Sequence, residues 1–276
     1  MRRHELSDAE WEFVRPLLPV SLRGRKRLDD RRVLNGIVWK FRTGTAWRDV
    51  PERYGPWATL HTRFRRWAAD GTFDRMLRAA QAKADAAGDV DWLVSVDSTI
   101  VRAHQHAAGA RKGGLRGPAL GRSKGGLTSK IHLACDGRGR PLAFVVTGGN
   151  TNDCTRFTAV IEAIRVPRIG PGRPRVRPDH VLGDKGYSSK AIRAWLRRKG
   201  IAHTIPERAD QARNRARRGS RGGRPPAFDR EVYKHRNVVE RCFNRLKQWR
   251  GIATRYDKTA ESYEAAVTLA SLLMWA

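Results

Sequence analysis

The chain has 276 residues, 40% of them hydrophobic, and this composition excludes an intrinsically disordered protein. Its 56 lysines and arginines outnumber 27 aspartates and glutamates, which gives a formal net charge of +29 at pH 7. A field of that sign attracts polyanions, above all nucleic acid, while roles at a membrane surface or as an RNA scaffold stay open as alternatives.

The sequence contains no clear targeting segment and no cysteine pattern typical of a disulfide framework or a zinc site. Residues 1–11 contain no apolar stretch of the kind found in a secretory signal, and the apolar run over residues 267–276 is too short to span a bilayer. The three cysteines, Cys135, Cys154 and Cys242, form no CxxC pair, which argues against a disulfide framework and a structural zinc site. We expect a cytoplasmic protein without a membrane partner.

The first part of the chain is predicted to be all-helical, and we assign residues 1–87 to one domain. Ser7 and Glu10 have the spacing of a capping box at the start of a helix. Asp29 or Asp30 is placed to cap a second helix, which ends at Gly44.

A third predicted helix, residues 57–69, is strongly basic. Arg63, Arg65 and Arg66 fall mostly outside its apolar side. Two helices, a turn and a basic third helix are typical of a helix-turn-helix-like module, so these three arginines are predicted to face DNA. The alternative is an amphipathic helix with a solvated basic face.

The pattern changes near Gly88, and residues 88–276 are predicted to form an α/β domain. Residues 91–101 alternate and are rich in β-branched side chains, which predicts a strand. A loop rich in glycine and basic residues follows over residues 110–126, and its Lys124 is predicted to contact a phosphate backbone. This loop lacks the G-x₄-GK[ST] pattern, so we expect no nucleotide cofactor.

The remaining elements follow in a recognisable order. The predicted segments are strands 127–136 and 141–147, helix 152–164, strand 180–183, helix 188–198, strand 201–205, a low-complexity stretch 208–226 expected to be mobile until bound, a long helix from 229 to about 250, and a last amphipathic helix. This order is that of a ribonuclease H-like α/β fold, in which three strands are followed by a helix, a strand, a second helix, another strand and further helices.

Three carboxylates are candidates for a catalytic centre. Asp97 lies near the end of the first core strand, Asp184 lies directly after a short apolar strand, and Glu240 lies within the long helix. Carboxylates brought together repel one another unless a cation joins them, and oxygen ligands suit Mg²⁺ or Mn²⁺. Two such ions support phosphodiester chemistry. Glu240 taken alone has an ordinary alternative as a surface ion-pair residue.

The surroundings of Glu240 favour the functional interpretation. At about 100° per residue, Tyr233, Arg236, Glu240 and Lys247 share one face of the predicted helix, beside an apolar stripe. The helix is therefore predicted to pack on the core while four polar side chains line one edge of the site.

These residues resemble a known family. Tyr233-x₂-Arg236-x₃-Glu240-x₆-Lys247 resembles the Y-(2)-R-(3)-E-(6)-K signature of insertion-sequence transposases of the DDE type. The segments 183–188 (GDKGYS) and 96–99 (VDST) resemble the family's motifs around its second and first aspartates. Residues 39–51 look like the helical domain that precedes the core in the insertion sequence five family.

The resemblance implies a role for each matching residue. Asp97, Asp184 and Glu240 would hold two Mg²⁺ ions, with Mn²⁺ as a substitute. Tyr233, Arg236 and Lys247 match positions that contact DNA near the cleavage site, and Lys185, within the second aspartate motif, is expected to contact DNA as well. 

The expected reaction follows from the same resemblance. The enzyme would bind the terminal inverted repeats, release a 3′-hydroxyl at each end of the element and join it to target DNA, working as a homodimer on DNA. A ribonuclease H-like nuclease that cuts without joining, and a domesticated non-catalytic DNA-binding protein, are the alternatives. Asp184 and Glu240 are only 56 residues apart (240 − 184), which leaves no room between them for a long strand-rich insertion. The resemblance therefore does not imply a mechanism that passes through a DNA hairpin.

Overall fold

The computed structural model describes residues 3–19, 28–108 and 119–276. Part of the predicted glycine-rich loop, residues 110–118, lies outside the described residues. No helix within the described ranges combines the length and the apolar character needed to cross a membrane.

The N-terminal part consists of helices and short 3₁₀ turns. The helices are α1 (Asp8–Val14), α2 (Asp30–Thr43), α3 (Trp57–Ala69) and α4 (Thr72–Ala86), and the turns are Arg15–Leu17, Trp47–Asp49 and Glu52–Tyr54. Ser7 and Glu10 form the predicted capping box, and Asp29 caps α2 by accepting from the Arg32 N–H at 2.8 Å. Gly44 ends α2 in the left-handed conformation, as its position predicts.

Within the described residues, the core contains one mixed sheet of seven strands. They are β1 (Leu93–Ala103), β2 (Gly121–Ser123), β3 (Gly126–Cys135), β4 (Pro141–Gly148), β5 (His180–Gly183), β6 (Ala202–Thr204) and β7 (Thr254–Arg255). The strand order is β2-β3-β1-β5-β6, with β4 beside β3 and β7 beside β1. The two strands predicted over residues 127–136 and 141–147 are present as β3 and β4, which form an antiparallel hairpin. Strands β1, β5 and β6 run parallel.

Eight further helices surround the sheet in the described part of the chain. They are α5 (Gln105–Ala108), α6 (Phe157–Glu162), α7 (Lys190–Arg198), α8 (Ala209–Arg217), α9 (Arg230–Lys234), α10 (Val238–Lys247), α11 (Arg250–Ala253) and α12 (Ala260–Leu272). Helix α10 packs on β1 and β3, and α6 packs on β3 and β4. A mixed α/β sheet covered by helices is the predicted class of fold.

The helical N-terminal part and the sheet share one hydrophobic core. Helix α12 packs against α3 and α4. The buried Gln81 of α4 donates to the carbonyl oxygens of Pro141 (3.1 Å) and Leu142 (3.0 Å) at the start of β4, so its amide satisfies two carbonyls of the outer strand. These contacts hold the helical part against the sheet edge.

Three local predictions were wrong. The single long helix 229–250 is divided by a 3₁₀ turn, His235–Asn237, between α9 and α10. The helix predicted from residue 152 starts as a 3₁₀ turn, Asp153–Arg156, and α6 ends at Glu162. The stretch expected to be mobile contains α8, which is held in place because Gln211 donates to the Ser188 carbonyl oxygen at 2.6 Å.

Candidate active site

The strand register places Asp97 and Asp184 next to each other. Val96 of β1 pairs with Gly183, the last residue of β5, in parallel register. Asp97 follows Val96 within β1, and Asp184 follows directly after β5. Neighbouring strands lie about 4.8 Å apart. Two carboxylates that are 87 residues apart in sequence (184 − 97) therefore lie on neighbouring strands, at the point where β5 ends. The prediction that Asp97 lies near the end of its strand was wrong, because β1 continues to Ala103.

A tight turn orients the Asp184 side chain. Its Oδ1 accepts from the Gly186 N–H at 2.8 Å and so caps the 3₁₀ turn Lys185–Tyr187. A Cβ at residue 186 would lie 2.8 Å from the same oxygen. Glycine at this position therefore allows the carboxylate to fold back over the turn.

Arg236 joins the other two carboxylates. Its Nη2 lies 2.5 Å from Oδ2 of Asp97 and 3.3 Å from Oε1 of Glu240. The Asp97 side chain is 16% exposed, whereas the Glu240 side chain is 48% exposed. Glu240, in the first turn of α10, thus shares the Arg236 guanidinium with Asp97 of β1.

The electrostatics of the cluster are consistent with this proximity. Burial raises the pKa of Asp97 to about 6. The Ser98 N–H and the Arg236 guanidinium lower the same pKa, while the charges of Asp184 and Glu240 raise it. The charges of both other carboxylates therefore act on Asp97, and the cluster favours a cation.

The side chains are not arranged around a metal position as they stand. Within residues 3–19, 28–108 and 119–276, no group of three or more His, Cys, Asp or Glu side chains is placed to hold a metal ion. The donor atoms are nevertheless the carboxylate oxygens that Mg²⁺ and Mn²⁺ prefer. Oxygens of Asp97 and Glu240 already flank one cationic nitrogen of Arg236, so they can approach a single cation.

Tyr233 and Lys247 lie beside the same cluster. Burial raises the pKa of Tyr233, Arg236 lowers it, and the charges of Asp184 and Asp97 add to the increase. The Lys247 Nζ donates to the carbonyl oxygen of Ile100 on β1 at 3.3 Å. The 3₁₀ turn before α10 therefore leaves the four signature residues together, although the predicted continuous helix is absent.

The other residues predicted to contact DNA differ in exposure. Arg65, Arg66, Lys124 and Lys185 are exposed. The predicted exposed position of Arg63 is wrong, because this side chain is only 8% exposed and forms an ion pair with Asp30 at 2.7 Å. Arg63 lies on the inner side of α3, facing α2, so its ion pair with Asp30 has a structural role.

Two further polar groups next to the site were missed in the sequence. The Tyr187 hydroxyl is buried without a hydrogen-bond partner among the described residues, and burial and the charges of Asp97, Asp153 and Asp184 raise its pKa. Asp153, after β4, lies 3.0 Å from the Lys130 Nζ. The position of Asp153 after a predicted strand could have marked it as a candidate site residue. Only the order of strands in the sheet, however, shows which strands end near one another.

The chain matches two protein families. Residues 88–275 match the family described as "Transposase DDE domain". Residues 6–77 match the family described as "Putative transposase of IS4/5 family". Together the two matches extend over most of the helical part and the whole sheet.

Individual relatives agree with these families. A "Putative transposase for insertion sequence element IS402" of Burkholderia cepacia is 35% identical over 146 residues, 53% of this chain and 62% of the relative. A "Putative transposase for insertion sequence element IS6501" of Brucella ovis is 30% identical over 149 residues, 54% of this chain and 98% of the relative. An "Uncharacterized protein y4sN" of Sinorhizobium fredii is 43% identical over 109 residues, 39% of this chain and 83% of the relative.

No solved structure matches the chain. The family match over residues 88–275 covers more than half of the sequence and contains Asp97, Asp184 and Glu240. With the helical part matching the IS4/5 type and two relatives named as insertion-sequence transposases, the chain belongs to the DDE transposases of the IS4/5 family.

Proposed function

We propose that this transposase binds the terminal inverted repeats of its insertion sequence, cleaves the DNA at those ends and transfers the 3′-hydroxyl strands into target DNA. The observation that supports this most directly is the register of β1 and β5, which sets Asp97 beside Asp184, together with the Arg236 contacts that bring in Glu240. The three carboxylates act as the catalytic residues.

Asp97, Asp184 and Glu240 are proposed to hold two Mg²⁺ ions, for which Mn²⁺ substitutes. The all-oxygen donor set fits such ions, and the charges of Asp184 and Glu240, which add to the effect of burial on the pKa of Asp97, favour their binding. When bound, the ions stabilise negative charge on the attacking and leaving oxygens of the phosphodiester. Binding requires Arg236 to give up its contacts with Asp97 and Glu240.

Once released from the carboxylates, Arg236 is placed to bind a DNA phosphate. A guanidinium binds phosphate through two parallel hydrogen bonds, whereas Lys247 supplies a point charge. Tyr233 offers a ring on which a base can stack. These three signature side chains would hold the scissile strand against the carboxylates.

The remaining DNA contacts belong to the basic surface. Residues 1–87 are proposed to form a helix-turn-helix-like domain that recognises the inverted repeats, with Arg65 and Arg66 on DNA, ahead of a ribonuclease H-like core over residues 88–276. Lys124 and Lys185 are exposed and would contact the phosphate backbone. Two element ends have to be held together, so we propose a homodimer on DNA, acting in the cytoplasm of a prokaryote.

The test uses labelled inverted repeats taken from the DNA that flanks the gene, a target plasmid and Mg²⁺. Asp97→Ala, Asp184→Ala and Glu240→Ala are each expected to abolish cleavage and joining while DNA binding persists. Glu231→Ala is the matched control, because this exposed carboxylate pairs with Lys234. Wild-type cleavage by any triad variant would show that the assignment is wrong.

The same assay distinguishes the alternatives. Cleaved ends without joined products would indicate a nuclease that lacks strand transfer. Binding of the inverted repeats with neither cleavage nor joining in Mg²⁺ or Mn²⁺ would indicate a non-catalytic DNA-binding protein.

A further inference from the structure

Phe228 presents an aromatic ring to solvent beside the candidate active site. It is 41% exposed and lies two residues before the first residue of α9. Its ring centroid is 5.1 Å from that of Tyr233, with the two ring planes inclined at 56°. The two rings therefore form one continuous aromatic surface, which we call the Phe228–Tyr233 pair.

The inner ring of this pair lies next to the cluster in the chain, because Tyr233 precedes Arg236 by three residues and Arg236 contacts both Asp97 and Glu240. Burial raises the pKa of the Tyr233 hydroxyl, and the charges of Arg236, Asp184 and Asp97 influence it as well. Tyr233 is half-buried and Phe228 is exposed. The aromatic surface thus extends from a half-buried ring near Arg236 to solvent.

The chain just before the pair is rich in positive charge. Helix α8 and the residues that follow it carry exposed arginines at positions 213, 217, 218, 221 and 224. Two hydrogen bonds between Gln211 and Ser188 tie α8 to the turn that carries Asp184. A negatively charged strand is therefore attracted to the segment that leads into the exposed ring.

We propose that the Phe228–Tyr233 pair is a binding site for one unstacked nucleobase of the DNA at the reacting phosphodiester. An aromatic ring stacks on the flat face of any base, so the site needs no particular sequence. Removing the base from its stack loosens the duplex where the backbone has to reach the carboxylates. Phe228 is then a positioning residue, and this inference rests on the proposed DNA function.

The experiment measures binding without catalysis, in EDTA. Two short duplexes of the same sequence are compared, one fully paired and one with an unpaired 2-aminopurine as a single-base bulge. The wild type is expected to bind the bulged duplex about 10-fold more tightly, the lower part of the range for stacking of one base on an aromatic ring. Stacking on the pair is also expected to quench the 2-aminopurine fluorescence.

Variants assign the effect to the exposed ring. Phe228→Ala is expected to lose both the preference and the quenching while it binds the paired duplex like the wild type, because phosphate contacts remain. Phe228→Trp keeps both. Ile169→Ala is the matched control, since Ile169 is also an exposed apolar residue, with 63% of its surface exposed. This variant should show the same preference and the same quenching as the wild type.

Two outcomes would overturn the inference in different ways. If Phe228→Ala retains the preference and the quenching, or if the wild type shows neither, the aromatic site is wrong and the proposed DNA function stands. If the wild type binds neither duplex, the proposed function fails and the nucleobase site fails with it.

Discussion

The Nη2 atom of Arg236 lies 2.5 Å from Oδ2 of Asp97, a contact between residues 139 positions apart in the chain. The same nitrogen lies 3.3 Å from Oε1 of Glu240. Arg236 is thus the counter-ion of two of the three carboxylates, and its position is the one where a divalent cation would also be attracted. The electrostatics of the site follow from this arrangement.

Replacing Arg236 is expected to raise the pKa of Asp97 further. The guanidinium favours the ionised carboxylate, so Arg236→Met removes an influence that lowers the pKa from a group that burial already raises to about 6. Carboxyl ¹³C NMR titration of the metal-free protein measures the change. Lys234→Met is the control, because Lys234 pairs with Glu231 away from Asp97. An unchanged or lower pKa in Arg236→Met would contradict the Arg236–Asp97 contact.

The raised pKa of Asp97 also predicts how stability depends on pH. The folded protein binds this proton more tightly than the unfolded chain, so the contribution to stability is present below about pH 4 and is lost as pH rises through about 6. The loss is roughly 3 kcal/mol, from two pKa units. Asp97→Asn lacks this titrating carboxyl group. Urea denaturation in EDTA should therefore show a smaller fall in the free energy of unfolding between these pH values for Asp97→Asn than for the wild type. Parallel profiles would count against a raised pKa.

Arg63 is expected to act on stability. Its guanidinium is almost fully buried, pairs with Asp30 and lies 5.3 Å from the ring centroid of Trp67. Arg63→Met removes one of the partners of the Asp30 carboxylate, so the free energy of unfolding should fall by about 2 kcal/mol. Arg65→Met, an exposed change on the same helix, should stay within about 0.5 kcal/mol of the wild type. Equal stability of the two variants in urea would contradict this prediction.

Arg65 and Arg66 are expected to act on DNA binding. If each contacts a phosphate, Arg65→Ala and Arg66→Ala weaken binding to all sequences and reduce the slope of log K against log salt by about 1 each. Fluorescence anisotropy with a duplex at several salt concentrations measures the slope. Glu52→Ala, an exposed change outside α3, serves as a control. Unchanged slopes would favour the alternative of a solvated basic face.

Lys40 is a buried cation whose removal is expected to stabilise the protein. It is 2% exposed, with its Nζ 4.0 Å from the ring centroid of Phe41, and burial lowers its pKa. Because the unfolded chain binds this proton more tightly, the charge opposes folding at neutral pH. Lys40→Met should raise the free energy of unfolding by about 1–3 kcal/mol at pH 7, less near pH 10. The exposed change Lys83→Met should have no such effect, and a destabilised Lys40→Met would contradict the prediction.

Local features were predictable because they depend on neighbouring residues. The Ser7–Glu10 capping box, the bounds of α3 and the β3–β4 hairpin all follow from side-chain spacing and turn residues. The Tyr233 to Lys247 spacing likewise indicated a family that the matches over residues 6–77 and 88–275 confirm. Even here, the 3₁₀ turn His235–Asn237 was missed, since helical periodicity does not show a local tightening of the helix.

The sequence alone therefore determined the α/β class, the family and the identity of the three candidate carboxylates. Only the tertiary structure decided which groups meet. The register of β1 against β5 sets Asp97 beside Asp184, the packing of α2 and α3 buries Arg63 against Asp30, and the approach of α10 brings Arg236 to Asp97. Each of these contacts joins residues distant in sequence, and long-range pairing depends on burial and chain topology rather than on local residue patterns.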